Sequence, residues 1–267
     1  MPKPVFHFTE DPDHGIGNLI NITPAMKLYA DWSGEPAKLF AISDIPEQLF
    51  RFCKFIEIIR ISVKDWEIAT GRKYKRLMGS NFKNYEVPDW QLACEYLVKK
   101  FGMDVEPEAY PHTYVYPSID VEFGVRMRMP YVAIAKGGIS FISKKDPGPE
   151  IYIQIINDLV EMGLNIIFVG QRSEMELFEQ LSEKMDWDQF FFVTDDLERV
   201  IAAIENASLF INCDSGLTHI AGALNTPSFI LWKDTWFEKN RTPSKVMTYS
   251  HKGNWFDDWE KIKNTII

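Results

Sequence analysis

The chain has 267 residues, 46% of them hydrophobic, with 29 Lys and Arg against 38 Asp and Glu and a net charge of −9. This is enough chain and enough apolar content for one large α/β domain or two small ones with their own cores, and it excludes a disordered protein. The acidic balance excludes a surface dominated by nucleic-acid contacts, and no apolar run approaches the roughly 18 residues of a membrane-spanning helix.

Short apolar stretches alternate with amphipathic ones from the start. Val5–Phe8 reads as a strand. Leu19, Ile22, Met26 and Tyr29 are spaced for a helix over Leu19–Ala30, with Thr23-Pro24 marking a kink or a restart inside it. Lys38–Ile42 is a second strand, Pro46–Phe52 a helix and Ile56–Ile61 a third strand. Ser62–Glu86 has no clear period, but it carries a basic cluster of Lys64, Arg72, Lys73, Lys75 and Arg76. Asp89–Phe101 is a helix opened by Asp89 and closed by Gly102. Prolines, tyrosines and isolated charges over residues 103–129 mark a connection between two halves.

The second half alternates more cleanly. Strands are expected at Tyr131–Ala135, Asn165–Val169, Phe190–Val193, Ser208–Asn212 and Ser228–Trp232. Helices are expected at Pro149–Met162, Glu174–Lys184, Leu197–Asn206 and Gly216–Leu224. Nearly continuous apolar strands separated by helices predict a parallel sheet covered on both faces, wound in two directions by right-handed crossovers. A last helix within Asn254–Ile267 carries Trp255, Phe256 and Trp259. The expected organisation is a first domain over residues 1–125, a second over 126–250, and a terminal helix over 251–267 packed back on the first. Cys53, Cys94 and Cys213 have neither metal-ligand spacing nor a pairing framework, and Met1-Pro2-Lys3-Pro4 opens no signal peptide, so a cytoplasmic protein is expected.

Two strand-to-helix turns carry the chemistry. The later one is Asn212-Cys213-Asp214-Ser215-Gly216-Leu217-Thr218-His219. A helix start offers N–H groups without intrahelical partners and the positive end of a dipole, both suited to phosphate. Ser215 and Gly216 let an anion approach the backbone, Asp214 can cap or order the turn, and His219 lies one turn further on. The same residues also suit an ordinary capped helix. The earlier turn, Gly15-Ile16-Gly17-Asn18, follows the first strand. It is not a Walker loop, because the Gly-Lys-Ser/Thr end is missing, and it is not a dinucleotide fingerprint, because Ile20 stands where a third glycine belongs.

Together the two turns resemble the glycosyltransferase family that contains the ADP-heptose:lipopolysaccharide heptosyltransferases. Gly17-Asn18 followed by Thr23-Pro24-Ala25 is similar to that family's Gly-Asp turn and Thr-Pro-Ala stretch. Asp214, Ser215, Gly216, Leu217, His219, Ala221, Ala223, Leu224 and Pro227 match its late hallmark. Lys144-Lys145-Asp146-Pro147 is similar to its Lys-x-Trp-Pro, without the Trp, and Gly170-Gln171-Arg172-Ser173-Glu174 to its Gly-x-x-x-Glu. The resemblance covers roughly residues 130–232 well and residues 4–30 thinly.

The resemblance implies a GT-B architecture, an α/β fold of two Rossmann-like doubly wound parallel-sheet domains facing a cleft. It implies an inverting, metal-independent glycosyltransferase with a nucleotide-diphosphate sugar as co-substrate and no other cofactor. Lys144 would then reach the donor phosphates and Glu174 the donor ribose, with Gly17, Asp214, Ser215, Gly216, Leu217 and His219 also on the donor side. The resemblance implies no metal site, and the adjacent pairs Asp195-Asp196 and Asp257-Asp258 read as surface acids. The family's Asp, thought to act as base on the acceptor hydroxyl, is replaced here by Asn18, and an amide takes no proton at neutral pH. Asp13 and His14, in the same loop, are the candidate replacements. The acceptor stays open between a small molecule, a glycan and, through the Arg72–Arg76 cluster, a nucleic acid. Two alternatives stay open: a non-catalytic nucleotide-sugar-binding protein, which Asn18 motivates, and a nucleotide-sugar epimerase or hydrolase of GT-B-like fold.

Overall fold

A computed structural model describes residues 6–10, 16–51, 53–70, 89–115, 130–136, 147–171, 178–179, 190–194, 196–233, 242 and 244–266. The chain divides into two compact units. One is Met1–Tyr116 with Trp236–Pro243, and the other is Pro117–Thr235 with Ser244–Ile267.

In the first unit the strands β1 (His7–Thr9), β2 (Ala37–Ala41) and β3 (Ile56–Arg60) pair in parallel in the order β1-β2-β3. The helices are α1 (Ile16–Asn21), α2 (Thr23–Ser33), α3 (Ile45–Phe50), α4 (Val63–Thr70) and α5 (Asp89–Phe101). The helix expected over Leu19–Ala30 is thus two helices, and Pro24 is the reason. Lacking an N–H, it cannot serve the carbonyl of Ile20 four residues back. The Thr23 hydroxyl donates to that carbonyl instead, at 2.7 Å. The same Thr23 Oγ1 accepts the N–H of Tyr114 at 2.7 Å. Residues 103–115, expected as a connection, are therefore tied into this unit, and the division comes at Tyr116, before the expected boundary at 125. Phe6, Phe8, Tyr29, Trp32 and Phe101 form an aromatic cluster where α2 and α5 meet the sheet, and the Phe6 N–H donates to the Tyr29 hydroxyl at 3.0 Å.

The second unit holds a six-stranded, fully parallel sheet. Its strands are β4 (Tyr131–Ile134), β5 (Asn165–Gly170), β6 (Phe190–Thr194), β7 (Leu209–Cys213), β8 (Ser228–Trp232) and β9 (Met247–His251), in the order β6-β5-β4-β7-β8-β9. Successive side chains on a strand face opposite layers. Val132, Ile134, Ile166, Phe168, Ile211 and Phe229 therefore form one core with α6 (Pro149–Glu161), while the Tyr131 hydroxyl reaches the other layer and donates to the Ala203 carbonyl of α7 (Leu197–Glu205) at 2.8 Å. The helix α8 (Gly216–Leu224) lies in the layer with α7. Strand β9 is an addition to the expected set. Its residues Met-Thr-Tyr-Ser-His are only partly buried and lack the apolar run of the inner strands, as an edge strand does.

The terminal helix α9 (Trp255–Lys263) packs within the second unit. Trp255 and Trp259 enter the α6 core, and the Trp259 indole N–H donates to Asp158 of α6 at 2.7 Å. Lys263 approaches the same carboxylate at 3.4 Å. An indole needs a partner for its N–H when it is buried, and Asp158 supplies one that the sequence does not advertise.

Candidate donor site at the switch of the second sheet

The chain order of the second sheet creates a topological switch point. From β4 the chain moves outward through β5 to β6, then returns to the other side of β4 with β7 and moves outward again through β8 to β9. The two connections leaving β4 and β7 therefore diverge, and a crevice opens outside their carboxyl ends, where ligands of open α/β sheets bind. The pairing shows where it opens. Ala135 N–H still donates to the Ile211 carbonyl at 2.9 Å, and β7 runs on to Cys213 beside β8 alone.

The exit from β4 is held from two sides. The Tyr152 hydroxyl of α6 lies 3.3 Å from the Ala135 carbonyl, and the Cys213 thiol donates to the Lys136 carbonyl at 3.3 Å. The cysteine is buried, and its thiol bridges the two diverging loops. Sequence spacing alone assigned it no role, because its partner is 77 residues away.

On the β7 side, Ser215 caps α8. Its backbone is extended, and its hydroxyl oxygen accepts the Leu217 N–H at 3.3 Å. Asp214 does not cap the helix; it lies one residue before the cap, 6% exposed. Gly216 is the first residue of α8, so the first N–H groups of the helix point from the strand's carboxyl end into the crevice region. His219 is four residues beyond Ser215 and shares its side of the helix, 6% exposed. Asn212, which sequence reading did not single out, lies fully buried behind this turn and donates from Nδ2 to Ser215 Oγ at 2.7 Å and to Thr218 Oγ1 at 3.1 Å.

The structure thus brings Asp214, Ser215, Gly216, Leu217 and His219 together on one strand-to-helix turn. Lys144 and Glu174 lie outside the described residues, as do Asp13 and His14. Gly17 and Asn18 are in α1 of the first unit, partly exposed, and the Asn18 carbonyl accepts the Ile22 N–H at 3.3 Å. One carboxylate there escaped sequence reading. Glu10, at the carboxyl end of β1, is 5% exposed and accepts the N–H groups of Ile42 and Ser43 at 2.7 and 2.9 Å, as well as the Ser43 hydroxyl. Its two oxygens are committed to holding the exit of β2. Of the basic cluster, only Lys64 is among the described residues, and among those residues no group of three or more His, Cys, Asp or Glu is placed to hold a metal ion. No described helix is long and apolar enough to cross a membrane.

Solved structures share this fold over nearly the whole chain. A glycosyl transferase family 9 protein from Veillonella parvula DSM 2008 aligns with a TM-score of 0.72 at 12% identity, covering 96% of this chain and 88% of its own. The E. coli ADP-heptose lps heptosyltransferase II aligns with a TM-score of 0.69 at 13% identity, covering 98% of both chains. The E. coli heptosyltransferase WaaC with ADP-2-deoxy-2-fluoro heptose aligns with a TM-score of 0.65 at 14% identity, covering 97% of this chain and 98% of its own. No protein with a curated description matches the sequence. The sequence model of glycosyltransferase family 9 (heptosyltransferase) matches residues 81–261, more than half of the chain and all of the β4–β9 sheet. With its GT-B-type parallel α/β fold and its capped turn at the switch of the second sheet, the chain belongs to this family of glycosyltransferases.

Proposed function

We propose that the second unit binds a nucleoside diphosphate sugar, and that the sugar passes to an acceptor hydroxyl with inversion and without a metal ion. The observation that carries this reading is the Ser215-capped start of α8 at the switch between β4 and β7. Transfer leaves a diphosphate, whose growing negative charge is the main electrostatic demand of the step. Preorganised N–H and O–H donors meet that demand without reorganising. In this reading Ser215, Gly216 and Leu217 face the diphosphate, His219 and Lys144 add positive or donor character beside it, Asp214 orders the turn, and Glu174 holds the ribose. The donors of two relatives' names, ADP-heptose and its fluoro analogue, make an adenine nucleotide the first to try.

In this reading the acceptor hydroxyl is presented from the Asn18 turn. Inversion needs one proton removed from the attacking hydroxyl as the bond to the anomeric carbon forms and the bond to the diphosphate breaks. Asn18 takes no proton, so Asp13 or His14 receives it in this reading. Thermal unfolding against ADP, GDP, UDP and CDP with EDTA present tests the donor half. A diphosphate at one hundred times its dissociation constant adds about 2.7 kcal/mol. The expected result is a shift with one base, lost in Ser215→Trp and reduced in Lys144→Ala. No shift with any of the four sinks the donor reading. Donor consumed without any acceptor would favour a hydrolase or epimerase.

A further inference from the structure

Asn212 closes a short chain of hydrogen bonds whose direction can be worked out from its far end. The Cys213 carbonyl can only accept. The Thr218 hydroxyl, 2.6 Å away, therefore donates to it. Having spent its proton there, Thr218 Oγ1 can only accept from Asn212, 3.1 Å away, so the amide must present its nitrogen to Thr218 and not its oxygen. The other N–H of that same nitrogen goes to Ser215 Oγ at 2.7 Å. Ser215 Oγ also accepts the Leu217 N–H, at 3.3 Å. Both acceptor positions of the Ser215 oxygen are then occupied from the protein side. The Ser215 hydroxyl proton is left to point away from the protein, and Ser215 is partly exposed. Asn212 itself is fully buried, and its Oδ1 has no hydrogen-bond partner among the described residues. A buried amide with one end unanswered is not what stability alone selects.

We propose that Asn212 is a positioning residue for glycosyl transfer: it fixes the Ser215 hydroxyl as a hydrogen-bond donor to a diphosphate oxygen of the nucleotide. This inference rests on the reading that Ser215 faces the diphosphate. A free serine hydroxyl would divide its time between donating and accepting. A serine polarised from behind meets an anion already in the useful orientation, which lowers the ordering cost of binding and of stabilising the leaving group.

The test is a double-mutant cycle on the full chain, read as the dissociation constant of whichever nucleoside diphosphate the wild type binds most tightly. Melting temperatures without ligand serve as the control for folding. Asn212→Asp is nearly isosteric but offers only acceptors once ionised, so it turns the Ser215 proton inward. Both Asn212→Asp and Ser215→Ala are expected to weaken binding about tenfold, the scale of one hydrogen bond to a charged group. The double variant should bind no more than about threefold more weakly than Ser215→Ala, because the aspartate acts through a hydroxyl that is already gone. Additive losses near a hundredfold would overturn the proposal, since the aspartate would then act by its charge alone. Wild-type binding in Asn212→Asp would overturn it too. Wild-type binding in Ser215→Ala would instead remove the reading beneath it, and the proposal with it. Should Asn212→Asp fail to fold, the preceding link carries the test: Thr218→Val should weaken binding severalfold, Thr218→Ser should restore it, and equal affinities in the two would overturn the proposal.

Discussion

Asn18 carries an amide, which has neither the charge nor the proton affinity of a carboxylate. If Asn18 marks a missing base, Asn18→Asp is expected to raise the transfer rate by about a hundredfold to ten-thousandfold, the usual range of general-base contributions. An unchanged rate, measured with donor and acceptor saturating, would favour a different base or none. Thr23 raises a different matter, since its hydroxyl answers a carbonyl orphaned by Pro24 and also the Tyr114 N–H. Thr23→Val keeps the shape and strips both bonds in a fully buried position, so a loss of about 1–3 kcal/mol is expected in urea unfolding. Cys94 gives a pH dependence. Burial pushes its thiol from an ordinary 9.0 up to about 12. The unfolded chain thus releases this proton first, and stability should fall as pH rises from about 9 toward 12. Cys94→Ala should flatten that alkaline loss in unfolding curves, and equal slopes for the two proteins would refute it.

Among the elements, α9 shows how a polar contact fixes where an amphipathic helix docks. Its tryptophans suit any apolar surface, but only Asp158 of α6 receives the Trp259 indole N–H. Trp259→Ala is expected to cost about 3–5 kcal/mol, as for other large core deletions. Trp259→Phe should recover most of the packing and still leave Asp158 short of a donor. The same helix has an acid-sensitive anchor at its first turn. Hydrogen bonds from Lys261 and then Ser250 hold the Asp258 carboxyl below its usual value. Its contribution to stability is therefore present above the ordinary aspartate range and lost as pH falls through the lowered value. Asp258→Asn should remove that part of the acid sensitivity; acid unfolding curves that superimpose would refute the assignment.

For the molecule as a whole, the second unit is closed by the last segment of chain. Strand β9 pairs with β8 along its full length, and α9 fills the core over α6. A chain ending at Val246 loses both, and with them Trp255 and Trp259. It is expected to lose the cooperative unfolding of the second unit and all nucleoside diphosphate binding, by calorimetry and by titration. Retained binding would show that the switch between β4 and β7 stands without the edge. The net charge of −9 belongs at this scale as well. A net negative charge gives an anionic ligand no long-range attraction from the molecule as a whole, so in the proposed reading the local donors at the α8 turn do the recognising.

Much of this was legible in the order of residues, because the signals are local. Gly216–Leu224, Ser228–Trp232 and Asp89–Phe101 can be read from apolar period and end signals, since each depends on neighbours within a few positions. The Ser215 turn is equally local, with its cap and its glycine in one stretch. Tertiary structure decided what depends on partners far along the chain. Strand β9 is edge-like and weakly apolar, and it becomes a strand because β8 offers it a row of unpaired backbone groups. The terminal helix chose the second unit through a hydrogen bond spanning 101 residues. Cys213 meets Lys136 across 77 residues, and the strand order that creates a switch there is set by which strands pair. Sequence by itself determined the kind of elements and the chemistry of the turn. Packing alone decided where those elements meet, because side-chain contacts and strand pairing are made in space between residues that the chain keeps far apart.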